Sequence, residues 1–268
     1  MVERFVKPMS GIQWPLSATQ LEAYRERTGM AYRRQPPGIV VGPVGKGELN
    51  VFENWDLVRS LTDAPLKFTL TSPYMLAKVT ADAFYHDTEA LALAFADVLA
   101  GEIASVEAEI VQIDEPNLPG TPADGAIAAK AINRILKAVR SVKAVHLCFG
   151  NYRGQTIQSG DYASLIRFMN DLECDHLVVE TTRREFSDIE KLKELRPDLK
   201  IGIGVIDVKD SQIESAATVA GRIERLANAL GEDRIAYVHP DCGLQHLPIP
   251  VADGKLHALA AGRNLFAG

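Results

Sequence analysis

Short apolar runs rich in β-branched residues alternate with longer Ala- and Leu-rich segments from residue 64 to the end of the chain. The short runs have the length of buried strands, and the longer segments have the length and composition of helices. Such regular alternation is typical of a parallel sheet whose strands are connected by helices. The pattern predicts strands at 66–72, 110–116, 144–150, 176–181, 201–207 and 235–241. It predicts helices at 87–107, 124–140, 161–172, 184–196, 211–230 and 252–266.

The first 63 residues lack this alternation. Ser17, with Gln20 three positions later, predicts the capped start of a short helix that reaches about Arg27. The sequence Arg-Gln-Pro-Pro-Gly at 34–38 breaks the chain before a small strand, which is predicted at 39–44. This N-terminal segment is therefore not a regular strand–helix unit.

The absence of internal repeats, low-complexity tracts and flexible linkers predicts a single domain over 1–268. In that domain 1–63 form an irregular N-terminal segment and 64–268 the strand–helix units. Six such units fit either a barrel or an open doubly wound sheet. No Gly-x-Gly-x-x-Gly opens a helix after the first strand, so a dinucleotide-binding sheet has no support. Gly202 and Gly204 lie inside a strand, where glycines often mark close backbone approach.

Composition and charge exclude several classes of protein. The chain has 268 residues, 47% of them hydrophobic and 24% charged, which excludes general disorder. The formal net charge of −6 and the absence of basic clusters argue against nucleic acid as a partner. No apolar run approaches the roughly 20 residues of a membrane span, and the first ten residues lack the apolar core of a signal peptide. We therefore predict a cytoplasmic protein without a membrane partner.

Candidate metal ligands gather at the carboxyl ends of three predicted strands. His146 and Cys148 are two residues apart, so both side chains point the same way. The next strand ends in Glu180, and the last strand is followed by Cys242. In a parallel barrel all carboxyl strand ends meet at one mouth, where barrel enzymes keep their sites. One imidazole, two thiols and one carboxylate form a donor set that suits Zn²⁺.

Each of these residues also has a purely structural interpretation. A lone His or Cys near a strand end is usually part of the core. The joint placement of four metal-ligating residues at equivalent strand ends favours the metal site over that alternative. The third cysteine, Cys174, precedes its strand and is interpreted as buried packing. Three cysteines are too few for a disulfide scaffold, which fits a reducing compartment.

Five motifs occur in the order found in cobalamin-independent methionine synthases. They are VQIDEP at 111–116, HLCFGN at 146–151, VVE at 178–180, IGVID at 203–207 and HPDCGL at 239–244. Over about 65–266 the sequence resembles the C-terminal catalytic barrel of that family. The resemblance implies an α/β fold, a TIM-type (β/α)8 barrel. It also implies that His146, Cys148, Glu180 and Cys242 are zinc ligands.

The resemblance also implies substrate-binding and catalytic residues. The aspartate of the IDEP motif helps to hold the amino group of homocysteine, so Asp114 and its neighbour Glu115 are predicted to bind substrate. The alternative for both is a hydrogen-bonded strand end before a proline turn. Lys209 stands where the family has a proton-donating histidine, and it is a candidate catalytic residue together with Asp114. A lysine donates a proton only if its pKa is lowered, and the alternative for Lys209 is a solvated or ion-paired loop residue.

The resemblance implies a zinc-dependent methyltransferase that activates homocysteine or a similar thiol as a thiolate. Zinc lowers the pKa of a bound thiol, so the nucleophile exists near neutral pH. The folate-stacking tryptophan of the family falls near Lys78 and Val79 here, and no folate-recruiting domain precedes the barrel. Both features argue against polyglutamyl folate as the methyl donor and leave a corrinoid or other carrier open. A related transferase or lyase acting on a coenzyme M-like thiol is a further alternative.

The strand count implies an incomplete barrel. The family's first two barrel strands grip homocysteine and have no counterpart here, so this chain supplies about six of eight strands. A barrel with a missing wall exposes unpaired strand edges. We therefore expect an oligomer in which a second subunit or a second copy completes the barrel. A non-catalytic or regulatory subunit with structural zinc is the alternative from another class of function.

Overall fold

The computed structural model describes residues 2–28, 35–151 and 154–268, and Arg34 of the predicted chain break lies outside them. In this described part the helices are α1 (Val2–Val6), α2 (Ala18–Thr28), α3 (Val51–Arg59), α4 (Pro73–Val79), α5 (Thr88–Ile103), α6 (Gly125–Leu136), α7 (Ile166–Asp171), α8 (Phe186–Ile189), α9 (Ala216–Leu230) and α10 (Ile249–Ala267). The strands are β1 (Ser10–Gln13), β2 (Ile39–Gly45), β3 (Lys67–Thr71), β4 (Ala81–Asp82), β5 (Ile110–Glu115), β6 (Val142–Leu147), β7 (His176–Val179), β8 (Lys200–Ile206) and β9 (Ile235–Pro240).

The chain forms two compact units. Unit 1 comprises Met1–Leu118 and Ala123–Lys143, and unit 2 comprises Pro119–Pro122 and Ala144–Gly268. In unit 1, β1 pairs antiparallel with β2, which pairs parallel with β4. In the same unit, β3 pairs parallel with β5, and α4 and α5 pack beside each other.

Unit 2 contains four consecutive parallel strands. β6 pairs with β7, β7 with β8, and β8 with β9. Inner strands β7 and β8 are almost entirely buried, as expected for parallel strands covered on both faces. Their register brings the carboxyl ends of all four strands to one edge of the sheet.

All six predicted parallel strands are confirmed to within three residues at each end. The capped helix start is also confirmed, because the Gln20 side chain accepts a hydrogen bond from Ser17 N while Ser17 Oγ accepts one from Gln20 N. Gly231 ends α9 with a φ of +93°, a conformation that favours glycine.

Five of the six predicted helices are shorter than expected, and two of them are only partly α-helical. The segment at 161–172 begins as a 3-10 turn before α7, and the segment at 184–196 consists of α8 followed by a 3-10 turn. The N-terminal segment is more ordered than its sequence indicates, because it contains α1, β1 and α3 besides the two predicted elements. Among the described helices, none combines the length and apolar character needed to cross a bilayer.

Candidate metal centre

Three of the four predicted metal ligands lie together in unit 2. One ligand atom from each of His146, Cys148 and Cys242 lies within 4.8 Å of the other two. His146 and Cys148 are 6% and 3% exposed, and Cys242 is partly buried. The group forms because His146 lies near the carboxyl end of β6 and Cys148 is the first residue after that strand, while Cys242 is the second residue after β9.

The His146 ring is oriented by the neighbouring strand. Its Nδ1 lies 3.0 Å from the carbonyl oxygen of Val178, a residue that is directly opposite it in the β6–β7 register. A carbonyl only accepts, so Nδ1 donates and Nε2 carries the lone pair that a metal requires. The backbone of β7 thus fixes the tautomer that suits a metal ligand.

The two cysteine thiols contact each other and the imidazole. The hydrogen bond with Cys148 and then burial raise the pKa of Cys242, while its hydrogen bond with His146 acts in the opposite direction. A divalent ion would offset the raised pKa of Cys242, because a coordinating thiol is deprotonated outright.

Asp241 fixes the position of Cys242. Its backbone N donates to Ile206 O at 2.9 Å, and its carboxylate accepts hydrogen bonds from Thr181 N at 2.9 Å and from the amide and hydroxyl of Thr182. Burial raises the pKa of Asp241 to about 7 despite these donors. The carboxylate therefore connects the end of β9 to the segment that follows β7.

Gly204 allows this connection. A Cβ at this position would lie 2.1 Å from Asp241 Oδ1 and 3.0 Å from the carbonyl oxygen of Val179. The close backbone approach expected from glycines inside this strand is therefore present. It makes room for Asp241, the residue that precedes the candidate ligand Cys242.

The fourth predicted ligand, Glu180, lies outside the three-residue group and pairs with Lys209. The Lys209 ammonium donates to Glu180 Oε2 at 3.0 Å and to Thr156 Oγ1 at 3.0 Å. The two charged side chains are only 2% and 3% exposed. Tyr162 donates its hydroxyl to the Glu180 carbonyl oxygen at 2.8 Å, which holds the Glu180 backbone in place. Lys209 is thus an ion-paired loop residue, which agrees with the alternative to its role as a proton donor. Its side chain is buried, however, and not solvated.

The loop that carries Lys209 is anchored by a second buried ion pair. Asp207 Oδ1 accepts a hydrogen bond from Lys209 N, and Asp207 N donates to Glu214 Oε1, both at 2.8 Å. Glu214 Oε2 in turn pairs at 2.8 Å with Lys255, whose side chain is fully buried in α10. Several charge-assisted hydrogen bonds therefore hold this loop.

Asp114 and Glu115 lie at the end of β5 in unit 1. Asp114 is partly exposed and accepts a hydrogen bond from Gln112 Nε2 at 2.7 Å. Glu115 is fully buried, and its Oε1 accepts from Asn117 N at 2.7 Å and Leu118 N at 2.9 Å. Burial raises the pKa of Glu115 to about 6. Its carboxylate accepts hydrogen bonds from backbone amides of the same chain, which agrees with the alternative interpretation as a hydrogen-bonded strand end. The substrate-binding role of Glu115 stays a prediction.

Cys174 is buried away from the three-residue group. Its side chain is 6% exposed, and burial raises the pKa of its thiol to about 12. The packing role predicted for this cysteine agrees with its position.

Sequence reasoning missed four residues that build this site: Thr156, Tyr162, Asp241 and Glu214. Asp241 lies within a quoted motif, so its position beside Cys242 was the available signal. Thr156 lies in a loop, and Tyr162 directly precedes the 3-10 turn at 163–165, so both reach the site only through folding.

The donor set fits a transition metal. Two thiols and an imidazole in one buried group are the ligands that zinc prefers, and the tautomer of His146 is already suitable. The fold and this site together define a class: an α/β protein of parallel strand–helix units with a candidate metal centre at the carboxyl edge of its sheet.

Within that class, comparison with known proteins identifies the family. The model of the family described as cobalamin-independent synthase, catalytic domain, matches residues 1–262, and the chain belongs to this family.

Two proteins named methionine synthase are similar in sequence to this chain. A methionine synthase of Thermococcus kodakarensis is 32% identical over 200 residues, which cover 74% of this chain and 56% of the relative. One from Saccharolobus solfataricus is 27% identical over 241 residues, covering 88% of this chain and 69% of the relative. The chain therefore spans little more than half the length of the first of these relatives.

Solved structures confirm the predicted fold class. A B12-independent methionine synthase from Shewanella sp. W3-18-1, in complex with selenomethionine, superposes with a TM-score of 0.81 at 24% identity and covers 98% of this chain. The match covers 78% of that chain. A second, described as a putative vitamin-B12 independent methionine synthase from Listeria monocytogenes, gives a TM-score of 0.68 at 18% identity and covers 98% and 77% of the two chains. The barrel-type α/β fold with six parallel strands agrees with both.

Proposed function

We propose that this chain is a zinc-dependent methyltransferase that methylates a thiol, homocysteine or a similar one. The single observation that carries the proposal is the buried group of His146, Cys148 and Cys242 in a chain of the cobalamin-independent synthase family. Zinc in this group would lower the pKa of a bound thiol, so that a thiolate nucleophile is present near neutral pH.

The protein's own residues would prepare the site for that chemistry. His146, Cys148 and Cys242 would hold the metal, and Asp241 keeps the last of them in register. Glu180 is the fourth candidate ligand, and its Oε2 pairs with the Lys209 ammonium. That ion pair favours a charge-pairing role for Lys209 over the proton-donor role.

Asp114 is the residue we propose to hold the amino group of the thiol substrate. Its side chain is partly exposed, and its Oδ1 accepts a hydrogen bond from Gln112 Nε2. A carboxylate of this kind accepts charge-assisted hydrogen bonds from an ammonium group. The burial of Glu115 makes it a support for this strand end rather than a second contact with substrate.

The methyl donor we propose is not polyglutamyl folate. At the positions equivalent to the family's folate-stacking tryptophan, Lys78 pairs with Asp124 at 3.3 Å and Val79 is fully buried. Neither side chain offers an aromatic face to a pterin ring. The donor we propose instead is a corrinoid or another simple methyl carrier.

We further propose that a second copy or another polypeptide covers the open side of β3. Among the described strands, β3 and β9 each pair with one neighbour, so each has an open edge. In unit 1, a cleft of about 530 Å³ lies beside β3 and is lined by Trp55, Val58 and Phe68. Open strand edges with apolar surroundings are normally covered in soluble proteins.

X-ray absorption at the zinc edge tests the proposed function. We expect two sulfur ligands in the zinc-loaded protein and a third after addition of homocysteine. An unchanged sulfur count would favour the structural-zinc alternative over catalysis.

Variants test the ligands themselves. Cys148→Ser and Cys242→Ser are each expected to lose zinc, and Cys174→Ser, which removes a buried thiol outside the group, is the matched control. Equal zinc content in all three variants, measured by mass spectrometry of the metal, would refute the assignment.

A further inference from the structure

We propose that Lys67 is a positioning residue for Asp114, and that it acts through Gln112. The lysine ammonium fixes the Gln112 amide, which in turn holds the Asp114 carboxylate in place for the ammonium group of an amino-thiol substrate. The inference deepens the proposed function and rests on it, because Asp114 is the residue proposed to bind the substrate's amino group. It gives a role to Lys67 and Gln112, which the proposed function does not use.

The three side chains lie on one face of the paired strands β3 and β5. Gln112 and Asp114 are two residues apart in β5, so both point to the same side. Thr69 is opposite Gln112 in the parallel register, and Lys67 precedes Thr69 by two residues in β3. The period-2 alternation of the strands therefore brings a lysine, an amide and a carboxylate into one row along this face.

The hydrogen bonds in this row all run in one direction. The Lys67 ammonium donates to Gln112 Oε1 at 2.9 Å, and Gln112 Nε2 donates to Asp114 Oδ1 at 2.7 Å. An ammonium has only donors and an ionised carboxylate has only acceptors, so both ends of the row require the same orientation of the amide. Lys67 thus favours the one amide orientation in which Gln112 can donate to Asp114.

The burial of Gln112 makes both of its partners important for stability. Gln112 is only 8% exposed, so water cannot readily replace a lost partner, and a buried polar group without a partner is destabilising. The charges at the two ends of the row also attract each other. Partial burial lowers the pKa of Lys67, and the Asp114 carboxylate opposes that shift. Removal of the ammonium therefore takes away a hydrogen bond to Gln112 and a positive charge near Asp114.

A buried hydroxyl beside Asp114 indicates that this strand end receives a polar ligand. Thr71 is opposite Asp114 in the β3–β5 register and is fully buried. Among the described residues, the Thr71 hydroxyl has no hydrogen-bond partner. Buried hydroxyl groups are normally hydrogen-bonded, and a polar ligand bound at Asp114 can supply the missing partner.

Calorimetric titration of the zinc-loaded protein tests the inference with two thiols, homocysteine and the analogue that lacks its amino group. The ratio of the two dissociation constants measures the contribution of the amino group. Lys67→Met should weaken homocysteine binding by about tenfold and change the binding of the analogue by less than about threefold, because only the amino group contacts Asp114. Lys67→Arg keeps a cationic donor and should retain most of the homocysteine affinity.

A double-variant cycle shows whether Lys67 acts through Asp114. In Asp114→Asn the contact with the ammonium group is already weakened, so adding Lys67→Met should cause no further loss of homocysteine affinity. Gln112→Leu removes the middle of the row and should give the same selective loss as Lys67→Met. Lys130→Met, which removes an exposed ammonium paired with Glu89, is the matched control and should bind both thiols as the wild type does.

An equal loss of affinity for both thiols in Lys67→Met would overturn the inference, since Lys67 would then support the site only structurally. Unchanged affinity for both thiols would also overturn it, as would a further loss when Lys67→Met is added to Asp114→Asn. If Lys67→Met does not fold, Lys67→Thr decides the matter in the same way, because threonine suits a strand but is too short to reach Gln112.

Failure of the proposed function has a different signature. In that case the wild type would not discriminate between the two thiols, and neither thiol would add a sulfur ligand to zinc. A wild type that prefers homocysteine, with the preference lost in Asp114→Asn but kept in Lys67→Met, would leave the proposed function intact and refute only the role of Lys67.

Discussion

Replacing Glu115 by glutamine should change how the stability of the protein depends on pH. Glu115 is fully buried at the end of β5, where Oε1 accepts hydrogen bonds from Asn117 N and Leu118 N. Glutamine keeps a carbonyl oxygen for these two donors but carries no charge at any pH. The substitution therefore isolates the cost of burying the ionised carboxylate.

The magnitude follows from the pKa of Glu115, which burial raises from 4.5 to about 6. The folded state therefore binds this proton more tightly than the unfolded state does. The contribution of the neutral carboxyl is fully present below pH 4.5 and is lost as the pH rises to about 6. A shift of about 1.5 units corresponds to about 2 kcal/mol.

Urea unfolding of the wild type and Glu115→Gln from pH 4 to pH 8 measures this quantity. Other groups titrate in both proteins and cancel in the difference. The free energy of unfolding of the wild type should fall relative to the variant by about 2 kcal/mol between pH 4.5 and 6, and the difference should stay constant above that. Glu107→Gln, at an exposed carboxyl, controls for the change in net charge. A difference that is flat from pH 4 to pH 8, or that has the opposite sign, would refute the buried-carboxylate argument.

Two further predictions concern packing and assembly. Gly204→Ala should lower the free energy of unfolding by about 3 kcal/mol and displace Cys242, because the new Cβ would overlap Asp241. A smaller loss of stability together with an unchanged zinc content would contradict the close approach. Sedimentation should show that the purified chain is not a stable monomer, because β3 and β9 have open edges. A well-folded, catalytically competent monomer would contradict that proposal.

The parallel strands were predictable because their signal is local. Each is a short apolar run, and β-branched residues such as those of Ile201 to Ile206 leave few alternatives to a buried strand. The helix α3 was not predicted, because only tertiary contacts decide which of its apolar residues are buried. It buries Val51 and Trp55 but leaves Phe52 exposed, so no regular amphipathic stripe is visible in the sequence.

The grouping of the candidate metal ligands was predictable for the same reason as the strands, since His146 and Cys148 follow the period-2 alternation at the end of β6. The surroundings of the ligands were not, because they depend on loops whose positions no local pattern determines. Lys209 shows the difference most clearly. Its sequence position suggests either a proton donor or a solvated or ion-paired loop residue, and the loop folds back so that its ammonium meets Glu180 in the interior. A single long-range ion pair thus makes Lys209 a buried charge partner of Glu180, which no local sequence pattern could show.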